Sequence, residues 1–178
     1  MVPRVLVSYD PEWPKQFEAF AAEIHAVAVA DADWLIEHIG STAIPGMRAK
    51  PIIDLAVRIV DRSDFDARRA ALEAAGWRLG SAVRTHPVMI RESDGVRIAI
   101  AHFFVEEEWD AVHQRILRDW LLEHPEDADR YSHAKCDAVA AQARGRTTYN
   151  AAKSPIIQEL VDRARASRGL PPVRISDK

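Results

Sequence analysis

The sequence has little of several features that would assign it to a specialised class. A single cysteine, Cys136, excludes an internal disulfide and fits a reducing compartment. No stretch approaches the ~20 apolar residues that a membrane-spanning helix needs, and the first residues are not followed by the hydrophobic run of a signal peptide. The net charge of −3 gives no general attraction to nucleic acid or to anionic lipids. We therefore expect a cytoplasmic protein without a nucleic-acid or membrane partner.

The sequence does have enough apolar material for one sizeable core. Hydrophobic residues make up 48% of its 178 positions, and this length suits one large domain. We predict a single domain over residues 1–168, with a sheet core over residues 1–105 and a helical part over residues 106–168. Residues 169–178 carry prolines and charges and are predicted to form a flexible tail.

Apolar runs and turn residues predict a mixed sheet in the first part of the chain. Residues 52–60 are nearly all β-branched or large and apolar, which is typical of a central strand buried on both faces. A shorter strand is predicted over residues 34–39. The Asp94-Gly95 pair predicts a hairpin between strands at residues 88–91 and 97–105. With helices packed on it, this sheet makes an α+β fold.

Capping residues predict where the helices begin and end. Asp10 opens the first helix, and Ser63 caps a second helix that ends at Gly76. Apolar residues at helical spacing between residues 109 and 120 predict a third helix, and a fourth is predicted over residues 125–144. The last helical stretch, residues 147–166, contains Pro155, so it is either kinked there or restarts with Ser154 as its N-cap.

The segment over residues 38–54 carries the features from which a function can be argued. Gly40 lets a ligand approach the backbone closely. Ser41 and Thr42 add hydroxyl groups and N–H donors that suit phosphate oxygens. The segment therefore predicts a phosphate-binding loop, and an ordinary strand-to-loop turn is the alternative.

Charged residues follow the same loop. Arg48 and Lys50 add positive charge that a phosphate would attract. Asp54 lies inside a hydrophobic strand, where a carboxylate is costly unless it is paired, hydrogen-bonded or bound to a metal. Asp54 is therefore a candidate metal ligand, and a hydrogen-bonded core acid is the alternative.

This segment resembles the signature of the GrpB family. The likeness lies in the run His38-Ile39-Gly40-Ser41-Thr42-Ala43-Ile44-Pro45-Gly46 and in the run Ala49-Lys50-Pro51-Ile52-Ile53-Asp54. The same family is resembled at Tyr9-Asp10-Pro11-Glu12-Trp13-Pro14, Leu117-Arg118-Asp119-Trp120-Leu121, His124-Pro125-Glu126, Tyr131 with Lys135, and Tyr149 with Lys153. The resemblance covers nearly the whole chain.

The resemblance implies a nucleotidyltransferase-like core with a C-terminal helical extension. In that superfamily a Gly-Ser loop holds a nucleotide triphosphate, and an Asp-x-Asp or Asp-x-Glu strand binds the metal. Gly40 and Ser41 match the loop, and Asp54 matches the first carboxylate. Position 56, where the second carboxylate belongs, holds Ala56. Some GrpB members are fused to dephospho-coenzyme A kinase, which hints at coenzyme A metabolism.

Two histidines are candidates to complete a metal site. His38 precedes the loop, and His102 lies where nucleotidyltransferases carry a third metal ligand. Together with Asp54 they predict a site for a divalent cation, Mg²⁺ or Mn²⁺, with imidazole ligands favouring the transition metal. The alternative is two neutral histidines that are hydrogen-bonded near a buried acid.

Tyr149 and Lys153 are four residues apart and share one helix face. The resemblance places this face over the cleft, where Lys153 reaches a phosphate. A solvated lysine beside a core tyrosine is the alternative.

Two hypotheses on function follow. In the first, the protein binds a nucleotide and a divalent metal and transfers a nucleotidyl or phosphoryl group to a small acceptor; Lys50 and Lys153 neutralise the charge that develops, and Asp54 holds the metal. In the second, which Ala56 favours, the same fold binds a nucleotide or phosphorylated small molecule without catalysis. The partner is a small molecule in both. A third possibility is an accessory protein of the same fold that works through its helical half.

Overall fold

The computed structural model describes residues 6–28, 33–80 and 85–175. The strands in these residues are β1 (Ile36–Ile39), β2 (Ile53–Ile59), β3 (Trp77–Leu79), β4 (Val88–Ser93) and β5 (Val96–Val105). The α-helices are α1 (Trp13–Ala28), α2 (Arg62–Ala74), α3 (His113–Glu123), α4 (Pro125–Ala143) and α5 (Tyr149–Ser167).

The strands form one mixed sheet in the order β1-β2-β5-β4-β3. β2 runs parallel to β5, while the other neighbouring pairs are antiparallel. β2 has a neighbour on each side, as its continuous apolar run predicts. Asp94 and Gly95 both have positive φ angles, of 51° and 74°, and form the predicted hairpin turn between β4 and β5. The prediction of an α+β fold with a mixed sheet is confirmed.

The two faces of the sheet pack against different parts of the chain, because successive residues of a strand point to opposite faces. On one face, Leu55 and its alternate neighbours in β2 join a core that includes residues of α1 and α2. Each fully buried large apolar side chain there contributes about 1.5–3 kcal/mol. The opposite face carries Asp54 and Ala56, and the helical part packs over a portion of it.

The start of α2 differs from the prediction. Its N-cap is Asp61, whose side chain accepts a hydrogen bond from the Asp64 N–H at 2.9 Å. The hydroxyl of Ser63, the predicted cap, instead donates to the Asp61 carboxylate at 2.6 Å. Asp61 is extended, which a cap requires, while Ser63 already lies inside the helix.

The last helix is continuous through Pro155. Thr148 is its N-cap and accepts from the Ala151 N–H at 3.2 Å. Ser154, the alternative cap, donates its hydroxyl to the Asn150 carbonyl one turn back at 2.9 Å. Pro155 lies in the second turn of α5, so its missing N–H and its ring disturb little more than the first turn.

Two short segments were not anticipated by the periodicity. β3 has three residues, too few for alternation to be recognised, and it pairs antiparallel with β4. The segment after α5, predicted as a flexible tail, has defined contacts over the residues described: Gln158 donates to the Val173 carbonyl at 2.8 Å and accepts from the Ile175 N–H at 2.9 Å. Residues 176–178 of that prediction lie outside the described residues. In the described part of the chain, no helix is both long and apolar enough to cross a membrane.

Candidate functional site

A cleft of about 950 Å³ lies between the Asp54 face of the sheet and helices α3 to α5. Its charge is opposite to that of the whole chain, which has a net charge of −3. Among the residues that the structure describes, six cationic side chains line the cleft against two acidic ones, Asp54 and Glu92. The six cationic residues are Lys50, Arg78, Arg97, Arg118, Lys135 and Lys153. A local basic site of this kind attracts an anionic ligand.

Gly40 brings the predicted phosphate loop against Asp54. Its φ of 73° is in the region that favours glycine. A Cβ atom at this position would lie 2.5 Å from the Asp54 Oδ2 atom, closer than non-bonded atoms approach. Both observations require a glycine here, and both tie the loop to the one acidic residue of β2.

The two loop hydroxyls hold the loop in place. Thr42 is buried, and its hydroxyl lies 2.9 Å from His38 Nε2 and 3.4 Å from the Ile52 carbonyl oxygen. The side chain of Ser41 forms a hydrogen bond with Tyr131 of α4. Thr42 was predicted to contact phosphate; it lines the cleft, and its hydroxyl contacts with His38 and the backbone anchor the loop.

Lys50, Lys153 and Tyr149 come together as one group at the cleft. Lys50 Nζ lies 3.5 Å from the centre of the Tyr149 ring, and Lys153 Nζ lies 5.0 Å from it. Burial raises the pKa of Tyr149, which keeps the phenol neutral. Two ammonium groups therefore lie beside one aromatic ring at the cleft.

His38 does not belong to this group. It pairs with Leu55 across β1 and β2, so its side chain points to the face opposite Asp54. Its ring stacks on Phe17 of α1 with the centroids 4.9 Å apart. Burial, and then the Arg118 charge, lower the pKa of His38 to about 4. The predicted three-residue site of His38, Asp54 and His102 is therefore not assembled, because β-strand alternation separates its members.

His102 lines the cleft as part of a histidine pair. Its Nδ1 atom lies 2.9 Å from Nε2 of the buried His86, and Thr85 Oγ1 lies 2.9 Å from His86 Nδ1. A bond between the two rings needs a proton on one of the facing nitrogens. The pairing orients the His102 ring.

Position 56, where the superfamily pattern has its second carboxylate, does not open to the cleft. Ala56 is fully buried in an apolar cluster with Ile39, Phe104, Trp109 and Val112. No group of three His, Cys, Asp or Glu side chains that could hold a metal occurs among the residues of the ranges described above.

The carboxylate next to Ala56 on β1, that of Glu37, is already paired. It accepts hydrogen bonds at 2.8 Å from both Arg115 and Arg118. Burial raises the pKa of Glu37, but the two arginines outweigh this and hold it below its usual value. With Ala56 enclosed and Glu37 neutralised, the residues do not fit a two-metal site.

Arg48 points away from the cleft. Its side chain is exposed and is not part of the lining, in contrast to its predicted role as a phosphate contact. Its carbonyl oxygen, however, accepts a hydrogen bond from the ammonium of Lys135. The backbone of the loop thus holds a lysine of α4.

Lys135 and Tyr131 were not recognised as site residues from the sequence. Both are buried and line the cleft, and Lys135 Nζ lies 5.0 Å from the Tyr131 ring centre. Burial raises the pKa of Tyr131 to about 12. One signal was present: the spacing Tyr-x-x-x-Lys occurs at Tyr131 and again at Tyr149, each time on one helix face.

Comparison with known proteins agrees with this architecture. The model of the family described as GrpB protein matches residues 3–163. UPF0157 protein BH1888 of Halalkalibacterium halodurans is 32% identical, with 91% of this chain and 83% of that protein covered. UPF0157 protein PA4798 of Pseudomonas aeruginosa is 31% identical, with 93% of this chain and 69% of that protein covered.

Two solved structures share the fold. The crystal structure of conserved protein GrpB from Enterococcus faecalis superposes with a TM-score of 0.80 at 24% identity, covering 93% of this chain and 99% of that one. Terminal uridylyl transferase 4 from Trypanosoma brucei, solved with bound dUTP, superposes with a TM-score of 0.56 at 12% identity, covering 96% of this chain and 64% of that one. The fold is therefore nucleotidyltransferase-like, and the chain belongs to the GrpB family.

Proposed function

We propose that the cleft binds a nucleotide or another phosphorylated small molecule. The observation that carries the proposal is the meeting, in one cleft, of the Gly40-Ser41 turn with Lys50 and Lys153. Lysine ammonium groups and backbone N–H groups are the usual partners of phosphate oxygens. The remainder of the ligand occupies the rest of the cleft.

The volume and the electrostatics of the cleft suit such a ligand. Pockets for small molecules commonly measure about 300–1,000 Å³, and this cleft is near the upper end of that range. The excess of cationic over acidic lining residues opposes binding of a cation and favours an anion.

Thermal unfolding in the presence of candidate ligands tests the proposal. ATP, GTP, CTP, UTP and coenzyme A precursors are each added with and without Mg²⁺ or Mn²⁺. A ligand at one hundred times its dissociation constant stabilises the protein by about 2.7 kcal/mol, which is a rise of roughly 5–10 °C in Tm for a chain of this size. No rise with any phosphorylated compound would contradict the proposal.

Charge-removing variants locate the binding. We expect Lys153→Met to reduce the ligand-induced rise in Tm. The matched control is Lys15→Met, which removes the same charge from α1 at a side chain that is 72% exposed. An equal loss in both variants would indicate nonspecific charge attraction instead of a site.

A second candidate is group transfer from the bound nucleotide, which the nucleotidyltransferase-like fold and the position of Asp54 favour. In such a step the acceptor oxygen bonds to phosphorus, the bond to the leaving phosphate breaks, and the acceptor proton passes to the Asp54 carboxylate. Lys50 and Lys153 neutralise the leaving phosphate. Incubation of the stabilising nucleotide with candidate acceptors, followed by mass spectrometry, tests this; products that persist in Asp54→Asn would contradict it.

A further inference from the structure

Lys135 is an unusual lysine because it is almost completely buried. Only 1% of its surface is exposed, whereas lysines are rarely buried unless their charge is compensated. Its ammonium donates to the Arg48 carbonyl and faces the cleft from α4. The fold therefore keeps a costly group at the end of the cleft where the predicted phosphate contacts lie.

The use of lysine in this protein is selective. The chain has five lysines and nineteen arginines, and three of the five, Lys50, Lys135 and Lys153, line this one cleft. Arginine stays protonated in proteins, whereas a buried lysine gains or loses its proton readily. Of the three, Lys135 is the buried one, so its protonation can respond to a bound ligand.

The metal site that commonly balances a polyphosphate in this fold does not fit these residues. Ala56 is enclosed by apolar side chains, and Glu37 is bonded to two arginines. Asp54 supplies one carboxylate, whereas a metal pair needs several oxygen ligands. The lysines of the cleft supply the positive charge that a polyphosphate requires.

We propose that the cleft takes its ligand as a metal-free polyphosphate anion, with Lys135 as a third cationic contact beside Lys50 and Lys153, and that Lys135 takes up a proton when the anion binds. This inference rests on the proposed function, whose phosphate site it specifies. It adds the form in which the ligand binds and one residue that was not predicted.

The surroundings of Lys135 support proton uptake. The titratable and charged groups around it are Tyr131 and Cys136 of α4, Tyr149 and Lys153 of α5, and Lys50 of the loop. Burial, followed by repulsion from Lys153 and Lys50, lowers the pKa of Lys135 to about 7. An anion arriving between these lysines offsets their mutual repulsion and favours the charged ammonium.

Isothermal titration calorimetry tests the inference, with inorganic tripolyphosphate and the most stabilising nucleotide as probes. Each probe is titrated in EDTA and in excess Mg²⁺. We expect binding in EDTA at least as tight as in Mg²⁺, since Mg²⁺ neutralises the charge that the lysines recognise. Titration in buffers of different ionisation enthalpy should show uptake of roughly half a proton at pH 7, falling toward zero well below the pKa.

The variant Lys135→Gln removes the charge and keeps a donor for the Arg48 carbonyl. We expect it to weaken binding on the order of tenfold to a hundredfold and to abolish the proton uptake, while Lys15→Met changes neither. Binding that occurs with Mg²⁺ and is absent in EDTA would overturn this inference and leave the proposed function intact. Absence of binding in both conditions would overturn both. Because proton uptake is measured on the unaltered protein, a poorly folded variant does not prevent a decision.

Discussion

Substitution of Ala56 by aspartate tests whether a carboxylate at this position can serve as a second metal ligand or is enclosed by the core. Ala56→Asp restores the Asp-x-Asp spacing that the nucleotidyltransferase pattern requires. In the structure, the new carboxylate would point into the cluster of Ile39, Phe104, Trp109 and Val112. We therefore expect destabilisation instead of a new metal site.

The magnitude follows from what the substitution buries. An unpaired buried charge costs about 3–5 kcal/mol, and extra atoms in a packed core cost about 1–3 kcal/mol. Partial relaxation makes a loss of about 4 kcal/mol at pH 7 a reasonable expectation, which corresponds to roughly 8–16 °C in Tm. Burial raises the pKa of the new carboxyl in the folded state, so the destabilisation is small in acid and grows as pH rises through the unfolded pKa of about 3.9.

Urea unfolding at pH 4.5 and pH 8, with and without Mn²⁺, measures these effects. Ala56→Asn is the matched control, because it adds the same volume and polarity without a titrating charge. We expect the destabilisation relative to the wild type to grow between the two pH values in the aspartate variant and to stay constant in the asparagine variant. A stability of Ala56→Asp within about 1 kcal/mol of the wild type, together with stabilisation by Mn²⁺, would refute the assignment of this position to a closed apolar cluster.

Three further predictions concern the support of the site. Gly40→Ala should destabilise the protein by about 2–4 kcal/mol and weaken ligand binding, because it adds strain and a clash with Asp54. The control is Gly46→Ala, where a Cβ meets nothing within 4 Å and which should cost about 1 kcal/mol in urea unfolding. Equal costs in the two variants would contradict the close approach of Gly40 to Asp54. The pKa of His38 is near 4 in the folded state and 6.5 otherwise, so the free energy of unfolding is highest above pH 6.5 and decreases as pH falls toward 4. The decrease is about 2 kcal/mol after allowance for the partial exposure of the ring. Urea unfolding across this range should show a smaller decrease in His38→Gln. Thr148→Ala should cost about 1 kcal/mol in urea unfolding and weaken ligand binding, because Thr148 caps the helix that carries Lys153; unchanged binding would mean that the cap does not position Lys153.

The elements of the fold were predictable where local chemistry is decisive. The apolar run at residues 52–60 became β2 (Ile53–Ile59), and Asp94-Gly95 became the hairpin turn. Both depend on a few consecutive residues, since burial of both faces and positive φ angles are local requirements. The cap of α2 was misassigned because Asp61 and Ser63 are both good caps, and the observed backbone conformation distinguishes them.

The residues that line the cleft were only partly predictable from the sequence. The segment around Gly40, Asp54 and Lys50 was recognised because its residue types and spacing suit phosphate chemistry. Lys135 lies 81 residues beyond Asp54 in the sequence and reaches the cleft through the packing of α4. Periodicity within α4 marks Tyr131 and Lys135 as neighbours but cannot say what that helix face contacts.

The family, the mixed sheet with its helices, and the loop on which the chemistry depends were all predictable from the sequence, because they follow from short-range patterns of glycine, apolar and charged residues. The tertiary structure alone decided which side chains meet. The pairing of His38 with Leu55 and of Ile39 with Asp54 places His38 on the face opposite Asp54, and a shift of one residue would have reversed this. Strand register and helix packing depend on contacts between residues that are distant along the chain. For that reason the sequence predicted a metal cluster, whereas the structure has a cleft lined by three lysines and three arginines.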